Sequence, residues 1–250
     1  CLMLAMIIEF VYDMNLSKLN GIFRFLSLKR RFFTFPCRGV SAQLPSICYA
    51  VTASDEEEEL SLLLNQLSRY VRAEDEILLL LDSSSVTSQV KAVVDSYRDK
   101  IDTLIESPLE QNFAQFKNHI IAHTEKDYIF QIDADELLSP YLIENLPSYL
   151  WANADVEMFR IARINLLIDD DKPLITWHEL SSVKEEDYIN FPDYQYRIFK
   201  NKTQVRWIRS LHEILSGYKT YSYLPKDKAL SLLHSKHASK HTSRWWNKKK

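Results

Sequence analysis

Apolar runs and amphipathic stretches alternate along the first 150 residues of the chain. Mainly apolar runs at residues 47–51, 76–81 and 128–132 are typical of buried strands, and a short strand near a sheet edge is predicted at 102–105. Between them, apolar residues recur every three or four positions in residues 60–71, 90–97 and 113–120, as in helices that pack by one face. This alternation predicts right-handed crossovers and an α/β fold, with a mainly parallel central sheet flanked by helices.

Two helix starts can be predicted from capping residues. Ser54 is the expected N-cap of the first helix, and Glu57 three residues later would complete a capping box. Ser139 and Pro140 suit the N-cap and first position of a helix that runs to about residue 150 and is disturbed at Pro147.

Beyond residue 150 the pattern changes to strands and a long polar loop. Residues 156–164, 194–199 and 205–208 are predicted strands, the last two joined by a tight turn at residues 201–202. Three consecutive aspartates at residues 169–171 are interpreted as a solvated turn. We therefore expect a helical, basic appendage (1–43), a main domain (44–218) with additional C-terminal strands, and a basic C-terminal segment (219–250).

Carboxylates follow two of the predicted strands. Asp133, Asp135 and Glu136 come directly after the strand at 128–132, and Asp82 follows the strand at 76–81. Carboxyl ends of parallel strands meet at one rim of a sheet, where α/β proteins bind ligands. Because close carboxylates repel unless a cation or solvent separates them, the pattern indicates a divalent-metal and phosphate site. An acidic turn without a ligand is the alternative.

Composition narrows the possible functions. The chain has 250 residues, of which 46% are hydrophobic, enough for one continuous core. The presence of only 3 glycines argues against a Gly-rich phosphate loop, so any phosphate binding must rely on metal and side chains. A net charge of −3 argues against nucleic acid as a partner. The 3 cysteines have no metal-ligand spacing, which is typical of free thiols in a reducing compartment.

Basic side chains are concentrated near both ends of the chain. Residues 14–40 and residues 231–250 each contain six basic side chains, and neither stretch contains an acidic one. Basic ends with aromatic residues could contact anionic lipid, although solvated tails are the equal alternative. The apolar stretch at 2–12 is too short for a membrane span and no secretory signal is evident. We expect a cytoplasmic protein with peripheral contact at a membrane face.

Over residues 46–218 the sequence resembles family 2 glycosyltransferases, which have the GT-A nucleotide-sugar-binding fold. Four matches carry the resemblance: the acidic strand-to-helix entry at 52–57, Asp82 after the second strand, Asn118 on the helix before the acidic motif at 133–136, and Arg197-Ile198-Phe199 leading to His212-Glu213. The chain departs from the family pattern at Ser84 and Thr87, after the second strand, and at Lys117 beside Asn118.

The resemblance implies transfer of a sugar, with inversion, from a nucleotide diphosphate donor to an acceptor hydroxyl, aided by Mn²⁺ or Mg²⁺. The acceptor would be a glycan, a lipid-linked sugar or another hydroxyl compound; the sequence does not indicate an oligomeric state. The implied donor-binding residues are Thr52, Glu56, Asp82, Lys117 and Asp133. The implied metal ligands are Asp133, Asp135 and His212, with His234 a weaker candidate than His212. For the general base, Glu213 ranks before Glu136.

Two other functions fit the same residues. A phosphohydrolase could use Asp133 as a nucleophile and Asp135 as acid and base, also with Mg²⁺. A degenerate domain could bind a nucleotide sugar without turnover.

Overall fold

The computed structural model describes residues 28–33 and 43–239. The strands in these ranges are β1 (Leu28–Lys29), β2 (Ile47–Ala53), β3 (Glu76–Asp82), β4 (Thr103–Ser107), β5 (Tyr128–Asp133), β6 (Leu137–Leu138), β7 (Met158–Ile161), β8 (Arg163–Ile168), β9 (Gln195–Lys200), β10 (Arg206–Ile208), β11 (Ile214–Ser216), β12 (Thr220–Tyr223) and β13 (Leu232–His237). The α-helices are α1 (Glu57–Tyr70), α2 (Ser88–Ser96), α3 (Phe113–Ile121) and α4 (Pro140–Ala152).

A large sheet of eight strands forms the centre of the fold, in the order β1-β12-β7-β9-β5-β2-β3-β4. All neighbours in it are parallel except β9, which is antiparallel to both β5 and β7. The predicted α/β class and mainly parallel sheet are confirmed. Because β5, β2 and β3 are adjacent, their carboxyl ends meet at one rim.

The region after α4 differs from its prediction. The single strand expected at 156–164 is two strands in different sheets: β7 joins the large sheet, and β8 joins a small sheet ordered β6-β13-β8. Between them, the Ala162 carbonyl accepts a hydrogen bond of 2.8 Å from the Leu232 amide at the start of β13. The strands predicted at 194–199 and 205–208 correspond to β9 and β10, and they lie in different sheets: β9 belongs to the large sheet, and β10 pairs with β11.

The helices pack on both faces of the large sheet. One core cluster joins α1, α2 and α4 to one face through residues such as Leu63, Val90 and Leu142. The other cluster joins α3 and the β10–β11 hairpin to the opposite face through Phe116 and Trp207. We call this second surface the α3 face.

One predicted helix start is wrong and one is confirmed. Helix α1 begins at Glu57 with Glu56, not Ser54, as its N-cap. The Glu56 carboxylate accepts the Ser54 and Asp55 amides at 2.8 and 3.1 Å, so these residues form a turn before the helix. Helix α4 begins as predicted at Pro140, capped by Ser139, and continues through Pro147 to Ala152.

The structure describes only parts of the two predicted terminal segments. Residues 1–27, 34–42 and 240–250, which include most of the predicted basic appendage and part of the basic C-terminal segment, lie outside the described residues. Strands β12 and β13 lie beyond residue 218 yet belong to the large and small sheets, so the domain extends past the predicted boundary. In the part of the chain described here, no helix combines the length and apolarity of a membrane span.

Candidate active site

Hydrogen bonds join the ends of β2, β3 and β5 at the carboxyl rim. Thr52 Oγ1 donates to Asp133 Oδ1 at 3.1 Å, across the paired ends of β2 and β5. The hydroxyls of Ser54 and Ser85 lie 2.6 Å apart and connect the turns after β2 and β3. The rim predicted from the sequence is therefore one continuous surface.

Asp82 is buried at this rim and bonded by the turn that follows it. Its Oδ1 accepts the Ser84 amide and hydroxyl at 3.0 and 2.5 Å, and its Oδ2 accepts the Ser85 hydroxyl at 2.5 Å. The Leu109 amide also donates to Oδ1, at 3.0 Å. Burial opposes ionisation, but these hydrogen bonds outweigh it and lower the pKa of Asp82. Asp82 thus holds two loops of the rim in place.

Asp135 meets two side chains from β13. Its Oδ2 lies 3.1 Å from His234 Nε2 and 2.7 Å from Lys236 Nζ. Burial would raise the pKa of Asp135, but the hydrogen bond and charge of His234, followed by Lys236, hold it far below its usual range. His234, the weaker metal candidate in the sequence, is therefore the histidine beside Asp135.

The His234 ring is oriented by Asn165 on the neighbouring strand β8. The Asn165 amide nitrogen contacts the Ile189 carbonyl and Asp193 Oδ2, both at 3.2 Å, which directs its oxygen towards His234. That oxygen lies 2.9 Å from His234 Nδ1. The protonated ring donates from both nitrogens, to Asn165 Oδ1 and to Asp135 Oδ2; in the neutral ring Nδ1 keeps its proton on Asn165, and the Nε2 lone pair then faces Asp135.

Asp133 lies among cationic side chains. Its Oδ2 is 2.5 Å from Arg197, and its Oδ1 is 3.3 Å from Lys117 Nζ. Despite burial, which acts in the opposite direction, Arg197 and then Lys117 hold the pKa of Asp133 below its usual range. Lys117 itself is only 4% exposed, so it is part of the buried ion network and not a surface lysine of α3.

Lys117 connects Asp133 to Glu213 on the segment between β10 and β11. Lys117 Nζ lies 2.9 Å from Glu213 Oε1 and 5.1 Å from the centre of the Trp207 ring. Asn118, the next residue on α3, holds β10 through two hydrogen bonds of 2.9 Å with the Trp207 backbone. The segment carrying Glu213 is thereby held close to Asp133.

Glu136 belongs to a buried ion network. Its side chain is fully buried, and Oε1 lies 2.6 Å from Arg197 and 3.1 Å from Arg163. Its other oxygen accepts the Asp133 amide at 3.2 Å. Arg163 also pairs with Asp193 at 2.7 Å. These contacts give Glu136 a positioning role in the acidic motif.

We expect Glu136→Gln to destabilise the fold by about 3–5 kcal/mol, because it leaves Arg197 and Arg163 short of a buried counter-charge. The measurement is urea unfolding of the two proteins. Asp169→Asn is the matched control, since Asp169 pairs with Lys172 while 71% and 62% of the two side chains are exposed. Equal stability loss in both variants would contradict the structural role of Glu136.

Glu56 also belongs to this rim, whereas His212 does not contact the acidic motif. Burial is the main reason that the pKa of Glu56 is raised, and the nearby charge of Asp135 adds to the effect. His212 is exposed, with a backbone φ of 53°. The aspartates at 169–171 are exposed as predicted.

Within residues 28–33 and 43–239, no cluster of three or more His, Cys, Asp or Glu side chains is arranged to hold a metal ion. At this rim, Asp135 and His234 form a pair of potential ligands in direct contact. Any remaining ligands of an ion bound there would have to come from a substrate or from water.

The sequence did not point to several residues of the site. Arg163 lies at the end of the strand predicted at 156–164, Asn165 lies just beyond that strand, and Lys236 lies in the predicted basic C-terminal segment. The available signal was the alternation of polar His234 and Lys236 with buried neighbours in β13.

The model of the family described as Glycosyl transferase family 2 matches residues 49–219. Among solved structures, TarS 1-349 from S. aureus in complex with UDP-GlcNAc has a TM-score of 0.52 and 16% identity, covering 80% of this chain and 61% of TarS 1-349. A second structure of TarS 1-349 has a TM-score of 0.50 and 12% identity, covering 76% of this chain and 60% of its own.

The mannosyltransferase PcManGT from Pyrobaculum calidifontis, in complex with GDP-Man and Mn2+, has a TM-score of 0.44 and 18% identity, covering 54% of this chain and 39% of its own. This chain thus spans less than two thirds of each of these structures. No curated protein matches the sequence. The match of the family model over most of the chain, together with the sheet order and the rim just described, shows that the chain belongs to glycosyltransferase family 2 and has the GT-A fold.

Proposed function

We propose that the protein is a metal-dependent, inverting glycosyltransferase that moves a sugar from a nucleotide diphosphate donor to an acceptor hydroxyl. The family and fold support the reaction class. The observation that carries the metal-dependent part is the meeting of Asp135 and His234, whose facing atoms both accept hydrogen bonds when the ring is neutral.

When the His234 ring is neutral, Nε2 and Asp135 Oδ2 are two acceptor atoms 3.1 Å apart, which repel unless a cation compensates them. Lys236 Nζ supplies this charge, 2.7 Å from Asp135 Oδ2 and 3.4 Å from His234 Nε2. A carboxylate oxygen and an imidazole nitrogen suit Mn²⁺, and a hydrogen-bonded second ring nitrogen is usual for metal-ligating histidines. The residues therefore fit a divalent ion held by Asp135 and His234.

A bound divalent ion would stabilise the negative charge that develops on the departing nucleoside diphosphate. Lys236 would then lie beside the same phosphates and add a second positive charge. Asp133 would remain fixed by Arg197 and Lys117, at the position where β5 meets Thr52. The rim thus binds and orients the donor, with Glu56 and Asp82 shaping its loops.

Glu213 is the proposed general base. Its side chain is 19% exposed, whereas Glu136 is fully buried with both oxygens engaged. One Glu213 oxygen is fixed by Lys117, which orients the carboxylate for proton removal from the acceptor hydroxyl. Direct attack by that hydroxyl would invert the anomeric carbon.

The phosphohydrolase alternative is disfavoured by the contacts of Asp133. A nucleophilic aspartate needs an accessible oxygen, but Oδ1 contacts Thr52 and Lys117 and Oδ2 contacts Arg197. The inactive-binding alternative differs from the proposal only in turnover.

A thermal-shift panel of nucleoside diphosphates and their sugars, with and without Mn²⁺, tests the proposal. We expect the nucleotides of one nucleobase to raise the melting temperature of the chain, and to raise it further with Mn²⁺. The reason is that a ligand that binds only the folded state stabilises it. The same donor should support transfer to added sugar acceptors.

Stabilisation without turnover across donors and acceptors would favour the inactive-binding alternative. Hydrolysis of an aryl phosphate, with no response to nucleotide sugars, would favour the phosphohydrolase. Stabilisation that is independent of Mn²⁺ would refute the metal-dependent part of the proposal.

A further inference from the structure

Arg160 on β7 lies between two tyrosines of the neighbouring strands. It is paired with Tyr196 on β9 and with Tyr223 on β12. Its guanidinium carbon is 4.0 Å from the centre of the Tyr196 ring and 5.6 Å from that of Tyr223. The guanidinium also donates to the Tyr196 hydroxyl. These contacts fix the orientation of the charged group.

A β-bulge gives Tyr196 this position. Phe159 pairs with Ile198 and Arg160 pairs with Tyr196, so Arg197 is the extra residue of β9. Bulges redirect side chains and often lie beside active sites. Here Arg197 is directed to Asp133, and Tyr196 to the side of the sheet that carries Arg160.

Among the arginines of the described residues that are buried or half-buried, Arg160 alone has no acidic partner. Arg72, Arg163 and Arg197 each pair with at least one carboxylate. Arg160 forms no ion pair with any carboxylate of the described residues, and its Nε is buried without a hydrogen-bond partner among them. Arg197 Nε is also buried without a partner, but the Arg197 guanidinium has two carboxylates beside it, whereas the charge of Arg160 has no anion among the described residues.

A second cation, Lys29, lies beside Tyr223. Lys29 Nζ is 4.8 Å from the centre of the Tyr223 ring, and it too forms no ion pair within the described ranges. Two cations beside one ring repel each other unless an anion lies near them. The charge arrangement is therefore complementary to a phosphate or a carboxylate.

This cluster lies near the acidic motif. Strands β7 and β5 are both antiparallel to β9, so their carboxyl ends share the rim that carries Asp133. Two strand spacings separate β7 from β5, which is about 10 Å. Tyr196 also packs against the core cluster of the α3 face, which contains Trp207 of the hairpin that carries Glu213.

We propose that Arg160, Tyr196, Tyr223 and Lys29 form an acceptor subsite for an anionic group, a phosphate or a carboxylate on the acceptor sugar. That the bound anion belongs to the acceptor rests on the proposed transferase function, whereas anion binding itself does not depend on it. The donor diphosphate would bind at Asp135 and Lys236, and the acceptor anion two strands away.

Binding of matched sugars to the nucleotide-free chain tests the site. The probes are glucose, glucose 6-phosphate and glucuronate. The binding of each probe is measured by ligand-observed NMR titration. The wild-type chain should bind at least one anionic probe about tenfold or more tighter than glucose, and Arg160→Gln should weaken that probe about 10- to 100-fold. The two anionic probes distinguish phosphate from carboxylate.

Lys29→Gln should weaken the same probe a few-fold, and this change of an exposed side chain leaves the core intact. Arg69→Gln, which removes the same charge from the exposed surface of α1, should bind like wild type. Equal binding of all three probes by wild type, or an anion preference that survives Arg160→Gln and Lys29→Gln, would overturn the proposal.

Transfer assays separate this subsite from the proposed function. With an active donor, Arg160→Gln should raise KM for the anionic acceptor while leaving kcat/KM for its neutral counterpart and donor affinity unchanged. Anion binding at Arg160 without any transfer would support the site and refute the transferase proposal. Equal loss with neutral and anionic acceptors would refute the subsite alone.

Discussion

Asp135→Asn should lower the rate of sugar transfer about a thousandfold, which corresponds to about 4 kcal/mol in the barrier. The amide keeps the size of the side chain but removes the charge that faces His234 and Lys236. A divalent ion would lose its anionic ligand, and the departing diphosphate would lose part of its stabilisation. Initial rates at saturating donor and Mn²⁺ give the comparison.

Isothermal titration of Mn²⁺ in the presence of the nucleoside diphosphate provides a second measurement for Asp135→Asn, and affinity should fall with the rate. Asp171→Asn is the matched control, because Asp171 is exposed in the loop after β8. Activity of Asp135→Asn within a few-fold of the parent would exclude Asp135 as the principal ligand.

Glu213→Gln should abolish most transfer, by about 10²–10⁴-fold, while the affinity for the donor changes little. The glutamine retains an oxygen that can accept the hydrogen bond from Lys117 but cannot remove a proton from the acceptor at neutral pH. Turnover number and donor dissociation constant are measured separately, so loss of chemistry is distinguished from loss of binding.

Glu186→Gln is the control for Glu213→Gln, since Glu186 is an exposed glutamate of the polar loop. Unchanged turnover in Glu213→Gln would assign proton removal to another group. Loss of donor affinity in parallel with turnover would instead indicate that Glu213 acts by holding Lys117 and Asp133 in place.

The strands of the first half were predictable because their apolar runs are buried on both faces. The run at 76–81 corresponds to β3, which is buried along its whole length, and Asp82 ends it. A buried run limited by a charged residue marks both the strand and its carboxyl end, so the rim and its acids could be predicted together.

The secondary-structure predictions were wrong where a hydrogen bond from one side chain or one backbone group outweighed a local sequence pattern. Ser54 suits a helix cap, but the Glu56 carboxylate bonds to the Ser54 amide and moves the helix start to Glu57. Residues 156–164 were predicted as one strand, yet the chain leaves the large sheet at Ala162 because β13 supplies a partner there. Neither the hydrogen bond of the Glu56 carboxylate nor the partner strand β13 can be recognised from a short stretch of sequence.

The histidine beside Asp135 also could not be identified from a local sequence pattern. His212 precedes Glu213 and resembles a paired motif, whereas His234 lies 99 residues from Asp135 in the chain and contacts it. Parallel pairing of β13 with β8 aligns His234 with Asn165 and turns both towards the acidic motif. Such a contact depends on strand order, which sequence spacing does not encode.

The sequence by itself determined the α/β class, the acidic rim and the membership of Asp82, Asp133 and Asp135 in it, because burial and strand ends are local properties of the chain. Only the tertiary structure decided that His234 and Lys236 face Asp135, that Glu136 is enclosed by two arginines, and that Arg160 has no acidic partner in the described chain. The physical reason is that charges interact through space over a few ångströms, whatever their separation in sequence.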